Sequence, residues 1–336
     1  MPLSDIRGQA HAIETLHRAL AQGRVHHAYL FSGPDGVGKA MAAHALAQAL
    51  LCQRPVAGTA DACGTCSGCL RAASGEHPDL HVVRRREKDD GSLEAQLKVE
   101  QIRELQQALT YKAYEGARRI VVLHDAERMN ASTANALLKT LEEPGAETHF
   151  VLVSSAPNLL LPTIVSRCQR VRFGPLPRAF VAEHLAQHAE LPLEHADLVA
   201  GLAEGSIGRG LRLAESPLLA ERAALLGRVD DPEGRRNVPE VLALAEQLAQ
   251  KKPELPLFFQ LLRTWYRDLL LVQRGLEGER LVHRDQRERL HSRAERLPAS
   301  ELLDRLSRIN DTERAIEQMA NARLSLETLL LRLVQS

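Results

Sequence analysis

Three stretches of this sequence carry residue types at spacings suited to chemistry, and the first is Gly33-Pro-Asp-Gly36-Val-Gly38-Lys39-Ala40. Gly33-x4-Gly38-Lys39 has the spacing of a phosphate-binding P-loop. Its glycines let the backbone turn N–H groups toward a phosphate, and its lysine opens a helix whose N-terminus favours anions. Such a loop is suited to ATP or ADP. The motif ordinarily ends in Ser or Thr, whose hydroxyl holds Mg²⁺; Ala40 offers no such ligand, so one part of a hydrolytic apparatus is missing. A chance glycine turn is the competing reading, but the apolar segment Ala28–Phe31 before the loop and the alanine-rich stretch Lys39–Leu51 after it supply the strand and helix that the motif requires.

The second stretch is Cys52 followed by Cys63-x2-Cys66-x2-Cys69, with Gly64 and Gly68 between the thiols. Thiolates at this interval on a tight knuckle converge on one face of a cation, and Cys52 completes a tetrahedron with Zn–S near ~2.3 Å. Four thiolates leave no open position for a substrate, so the expected Zn²⁺ is structural. Reduced packing cysteines would not need this spacing. Cys168 stands apart and reads as a small packing residue.

The third is Arg119-Ile-Val-Val-Leu123-His124-Asp125, an apolar strand ending in polar groups. In a nucleotide hydrolase this strand end supplies one acid for Mg²⁺ and a second to orient water. Asp125 fills one position; His124 stands at the other, and imidazole suits Mg²⁺ poorly. An ordinary strand terminus carries the same residues, so the degenerate acid site and that reading stay side by side here.

The elements that must position these groups follow from the pattern. Residues 4–23 carry Ile13, Leu16 and Leu20 at helical spacing. Residues 78–83 and 149–155 read as strands, 132–141 as a helix, and 171–173 as a last strand, while 84–92 read as a charged, solvated loop with an Arg84-Arg85-Arg86 triplet. Strands alternating with helices from 28 to 173 predict an α/β, doubly wound parallel sheet with ligands at the carboxyl ends of its strands. After Pro177 strand signals vanish. The remainder is Leu-rich and helical, punctuated by Pro232, Pro253, Pro256 and Pro298, with Phe258, Phe259, Leu262, Trp265, Tyr266 and Leu269 as a packing face.

Composition sets the bounds. The 336 residues suffice for two or three domains. Charge balances at 43 basic against 43 acidic residues, so no global field announces nucleic acid; 36 of the basic residues are Arg. No apolar run approaches a membrane span and no signal peptide opens the chain, so a soluble, cytoplasmic protein with no membrane partner is expected. Clustered cysteines in that setting point to metal rather than disulfides.

These features together resemble the bacterial clamp-loader branch of the AAA+ superfamily. The resemblance rests on His26-His-Ala-Tyr-Leu-Phe-Ser-Gly33, the four-cysteine knuckle, Asn135-Ala-Leu-Leu-Lys-Thr-Leu-Glu-Glu-Pro144 and Ser166-Arg167-Cys168, in order over the first ~175 residues. It implies an AAA+ core with a zinc module (1–173, module 52–69), a small helical lid (174–215) and an all-α collar that assembles a ring (216–336). In ATPase members, the gamma and tau subunits, Thr follows the P-loop lysine and an Asp-Glu pair ends the acid strand. Here those positions are Ala40, His124 and Asp125, and the second sensor arginine falls near Gly208, one place from Arg209. The Ser-Arg-Cys motif is intact, and in this family its arginine, here Arg167, reaches into the ATP site of a neighbour. The resemblance thus implies a non-polymerising, non-hydrolysing subunit of a replicative DNA polymerase assembly. Its partners would be gamma/tau and delta subunits, with the sliding clamp and primer–template DNA engaged through the complex. An ATP-hydrolysing motor is the alternative, resting on the intact Gly33-x4-Gly38-Lys39.

Overall fold

The computed structural model describes residues 1–115, 118–145, 147–230 and 238–335; Pro232 lies outside them. The chain divides into two compact units, Met1–Pro177 and Arg178–Ser336.

In the first unit, α1 (Ala10–Ala21) precedes β1 (Ala28–Ser32), α2 (Lys39–Leu50) and α3 (Ser67–Ser74). Then come β2 (Leu80–Val83), α4 (Val99–Leu109), β3 (Arg119–Leu123), α5 (Ala131–Glu142), β4 (Thr148–Ser154), α6 (Pro162–Val165) and β5 (Gln169–Arg172). The strands form one sheet in the order β2-β3-β4-β1-β5, every pair parallel. This is the doubly wound parallel sheet expected from the sequence. Alternate side chains serve opposite faces, as strand geometry requires. Tyr29, Phe31, Ile120, Val122, Val151 and Val153 pack with α1, α2 and α3, whereas Leu30, Val121, Leu123, Phe150 and Leu152 pack with α4, α5 and α6. All five β1 residues are buried, consistent with a central strand covered on both faces.

Two local departures from the sequence reading have clear causes. The helix expected from residue 4 begins at Ala10, because Asp61 captures the preceding turn: its carboxylate accepts from Leu3 N at 3.1 Å and Ser4 N at 3.0 Å. The unit also extends to Pro177 rather than 173, since the Gln9 side chain brackets Gly174, donating to its carbonyl at 2.8 Å and accepting from its N–H at 3.1 Å.

The second unit is entirely helical among the described residues. It comprises α7 (Arg178–His188), α8 (Leu193–Leu202), α9 (Ile207–Ala214), α10 (Pro217–Ala220), α11 (Arg222–Val229), α12 (Val238–Gln250), α13 (Leu255–Gln273), α14 (Arg287–Ala294), α15 (Ala299–Glu317) and α16 (Ala322–Gln335). The aromatic face expected from the sequence is core: Phe258, Phe259, Trp265 and Tyr266 are buried in α13. A buried charge organises that core. Asp230 accepts from Trp265 Nε1 at 2.8 Å and pairs with Arg293 at 2.8 Å and Arg305 at 3.3 Å, so the carboxylate is fully compensated, as burial of a charge demands. Among the described residues no helix is long and apolar enough to cross a membrane.

Candidate functional site

The phosphate loop grows out of β1 at the carboxyl edge of the sheet. Gly33 N donates to Ser154 O at 3.3 Å, tying the loop to the end of β4. Only glycine fits there, since a Cβ would lie 2.0 Å from Phe173 O. Gly36 and Gly38 adopt φ of 70° and 102°, the left-handed region that a tight anion-binding turn uses. Lys39 is 5% exposed, and its ammonium donates to Gly33 O at 2.8 Å and to Pro34 O. Burial lowers its pKa, while Asp35, Glu127 and Asp125 pull the other way.

The acid end is built differently from a hydrolytic one. His44 lies one turn beyond Ala40 on α2, and its Nε2 shares a hydrogen bond with His124 Nε2 at 3.2 Å; the rings stack with centroids 5.3 Å apart. Arg84 Nη2 donates to the same His44 nitrogen at 3.2 Å. Burial, then the Arg84 and His44 charges, hold His124 down at about 4. Asp125 sits in the left-handed region at φ 50°, and its Oδ2 pairs with Arg85 Nε at 2.8 Å. Mg²⁺, which demands octahedral oxygen ligation, does not fit this set: Ala40 has no ligand atom, His124 offers nitrogen already engaged, and Asp125 is neutralised by a guanidinium. A phosphate does fit, because the loop N–H groups and Lys39 are in place. Ser154, 1% exposed at the end of β4, stands against Glu127, and its hydroxyl is among the groups that hold the Glu127 carboxyl below its usual range. Glu127 Oε1 accepts from Ser155 N at 3.2 Å and Ser155 Oγ at 2.5 Å.

Sequence reasoning missed His44, Glu127, Ser154, Ser155 and the inward role of Arg84 and Arg85. The stretch 84–92, expected as a solvated loop, leaves the end of β2 alongside β3, so its first two arginines meet His44 and Asp125 while Arg86 pairs with Glu104. The signal was present: a cationic run at a strand end beside a missing acid.

Arg167 follows α6 at the surface. Its guanidinium donates to Thr163 O at 2.9 Å and pairs with Glu142 Oε1 at 2.6 Å, leaving 36% of the side chain exposed. The two family stretches thereby touch: Glu142 belongs to 135–144 and Arg167 to 166–168. Burial pushes the neighbouring Cys168 thiol up to about 12, in keeping with a packing role. Arg209, near the expected second sensor, pairs in the helical unit with Glu204 at 2.8 Å and Gln260 at 2.9 Å.

The four knuckle cysteines converge. All four sulfurs lie within 4.8 Å of one another, with Cys52–Cys66 and Cys63–Cys69 at 3.9 Å. A zinc tetrathiolate has sulfur–sulfur edges of about 3.8 Å for Zn–S near 2.3 Å, and a disulfide would need about 2 Å. Zn²⁺ fits these residues. Backbone N–H groups of Cys63, Cys66 and Cys69 each donate to a preceding cysteine sulfur at 3.4 Å, and those of Thr65 and Cys66 help hold the Cys63 thiol down at about 6. Cys66 and Cys69 are buried in the core shared with α2, so the metal position is part of the fold.

Comparison with known proteins places the chain among subunits of DNA polymerase III. The family described as "DNA polymerase III, delta subunit" matches residues 8–177, and "DNA polymerase III, delta subunit, C terminal" matches 217–335. The DNA polymerase III subunit delta′ of Pseudomonas aeruginosa is 40% identical over 76% of this chain and 73% of its own length. That of Bacillus subtilis is 29% identical over 97% and 96%. The tau subunit of Escherichia coli is 31% identical over 75% of this chain but only 38% of its own length. A gamma-subunit-related protein from Thermotoga maritima superposes with a TM-score of 0.46 at 21% identity over 96% of this chain and 98% of that one.

Proposed function

The chain belongs to the DNA polymerase III delta-prime family, and from that premise we propose that it is the non-hydrolysing delta-prime subunit of a clamp loader, donating Arg167 to the ATP site of an adjacent ATPase subunit. One observation carries the reading. The metal and water positions of its own nucleotide site are taken by the His44–His124 pair, Arg84 and the Arg85–Asp125 ion pair, while Arg167 remains at the surface. A guanidinium supplied in trans stabilises charge on a transferred phosphoryl group whatever the state of its own chain's P-loop. In this reading the partners are gamma/tau and delta subunits. The sliding clamp and primer–template DNA are engaged through the complex, residues 174–215 serve as a lid, residues 216–336 form the ring-building collar, and Cys52, Cys63, Cys66 and Cys69 hold structural Zn²⁺.

Hydrolysis measurements test it. The purified chain with Mg²⁺ and primed DNA should show no turnover. Adding an ATPase partner should give turnover that Arg167→Ala lowers by roughly 10³-fold or more, with assembly by size exclusion unchanged. Turnover by the chain itself, abolished in Lys39→Ala, would identify it instead as a gamma/tau-type motor.

A further inference from the structure

We propose that the phosphate loop of this chain binds a polyphosphate anion (the di- or triphosphate of a nucleotide, or inorganic pyrophosphate) free of Mg²⁺, with protein cations standing where the metal would. The inference concerns the chain's own loop and does not depend on Arg167.

The loop is built for an anion. Gly36 and Gly38 hold left-handed turns ahead of the 12-residue helix α2, so its first N–H groups are available to a phosphate. An ammonium has three donors; two of those on Lys39 go to Gly33 O and Pro34 O, leaving the third for a ligand among the described residues.

The charges around the loop are arranged for an anion without its metal. A hydrolytic site sets one lysine against two acids and relies on Mg²⁺ to restore a positive field. Here Lys39, Arg84 and Arg85 face Asp35, Asp125 and Glu127, so the protein's own cations match its carboxylates before any metal arrives. Arg84 bears on the metal-acid position directly, donating to His44 while His44 holds His124. A hydrated Mg²⁺ brought in on a nucleotide gains no protein oxygen at Ala40 or His124 and meets a guanidinium there. It also removes two negative charges from the ligand that the cations would otherwise attract.

The test is titration calorimetry of the full-length, zinc-loaded chain with ATP, ADP and pyrophosphate, each with millimolar Mg²⁺ and with no added divalent cation. Strong chelators are left out so that the four thiolates keep their metal. The expected result is binding at least as tight without Mg²⁺ as with it, lost in Lys39→Ala and weakened several-fold in Arg84→Ala. Arg84 is exposed, so its variant should keep the fold; thermal melting and zinc content check this for both. Pyrophosphate binding as well as ATP would place recognition in the phosphates alone, and nucleotide binding without pyrophosphate would add a base contact; either supports a metal-free site. Binding that requires Mg²⁺, or no binding in either condition, overturns the proposal. An unchanged Arg84→Ala affinity overturns the part assigned to that guanidinium.

Discussion

The four-cysteine knuckle and the phosphate end of the sheet share α2, whose first turn carries Ala40 and whose last turn leads to Cys52. At the knuckle every metal ligand is present, with two of the four in the hydrophobic core. At the phosphate end the positions expected to serve Mg²⁺ carry Ala40, His124 and Asp125, and the last two are engaged in contacts of their own: His44 with His124, Arg85 with Asp125. The difference follows from what each cation holds up. A structural metal closes a core, so losing a ligand costs the fold. A catalytic Mg²⁺ sits at strand ends where side chains can change without opening the sheet, and a subunit that donated Arg167 to a neighbour, as proposed, would have no need of it.

Metal withdrawal should separate the two regions most strongly. Removing zinc with a strong chelator, or replacing Cys69 with Ser, should destabilise the first unit by several kcal/mol, toward the roughly 10 kcal/mol with which small domains hold structural zinc. Adding or omitting Mg²⁺ should leave the melting curve unmoved in the absence of nucleotide. Thermal unfolding with zinc release read in parallel decides; a large Mg²⁺ effect and a negligible zinc effect would invert the comparison.

Two glycines sharpen it at a smaller scale. A Cβ at Gly33 would lie 2.0 Å from Phe173 O, and one at Gly68 would lie 2.5 Å from Leu51 O. Both are backbone atoms that cannot rotate away, so each Gly→Ala change should cost about 2–3 kcal/mol. The functional losses should not cross: Gly33→Ala should impair polyphosphate binding and retain zinc, whereas Gly68→Ala should weaken zinc retention and leave the phosphate loop competent. Chemical denaturation, zinc content and calorimetry on both variants measure this. Loss of both properties in either one would mean that α2 couples the two regions.

Much of this was legible before the structure. The P-loop, the acid strand and the four thiols are local patterns, and alternation of strand and helix carried the parallel sheet. What stayed hidden depended on contacts distant in sequence. Asp61 holding Leu3 and Ser4, Gln9 bracketing Gly174, and Arg84 meeting His44 across 40 residues leave no periodic trace. The arginine triplet followed by acidic residues reads as solvated in sequence, and only the pairing of β2 with β3 turns its first two members toward the site. The sequence puts His124 where a hydrolytic site has an acid, but not its partner on α2, because nothing in the spacing of Ala40 and His44 announces an imidazole pair.

That imidazole pair gives the smallest effect, and its sign is fixed. His124 has a folded value of about 4 against 6.5 unfolded, set first by burial and then by the Arg84 and His44 charges, with Asp125 opposing. Between those values the unfolded chain binds more protons, so stability falls as pH is lowered from about 6.5 toward 4. At pH 5 the loss relative to neutral pH should be about 2 kcal/mol from this group. Burial and Arg84 also lower His44, which adds in the same direction. Replacing His124 with Asn should flatten that part of the acid limb, as urea denaturation at pH 7 and pH 5 would show. The knuckle responds to acid by a separate route, because protons compete with zinc for thiolate, so zinc content is measured at both pH values. An acid limb that tracks zinc loss and is unaltered by His124→Asn would assign the pH sensitivity to the knuckle. A limb that flattens while zinc stays bound would assign it to the imidazole pair at the abandoned Mg²⁺ position.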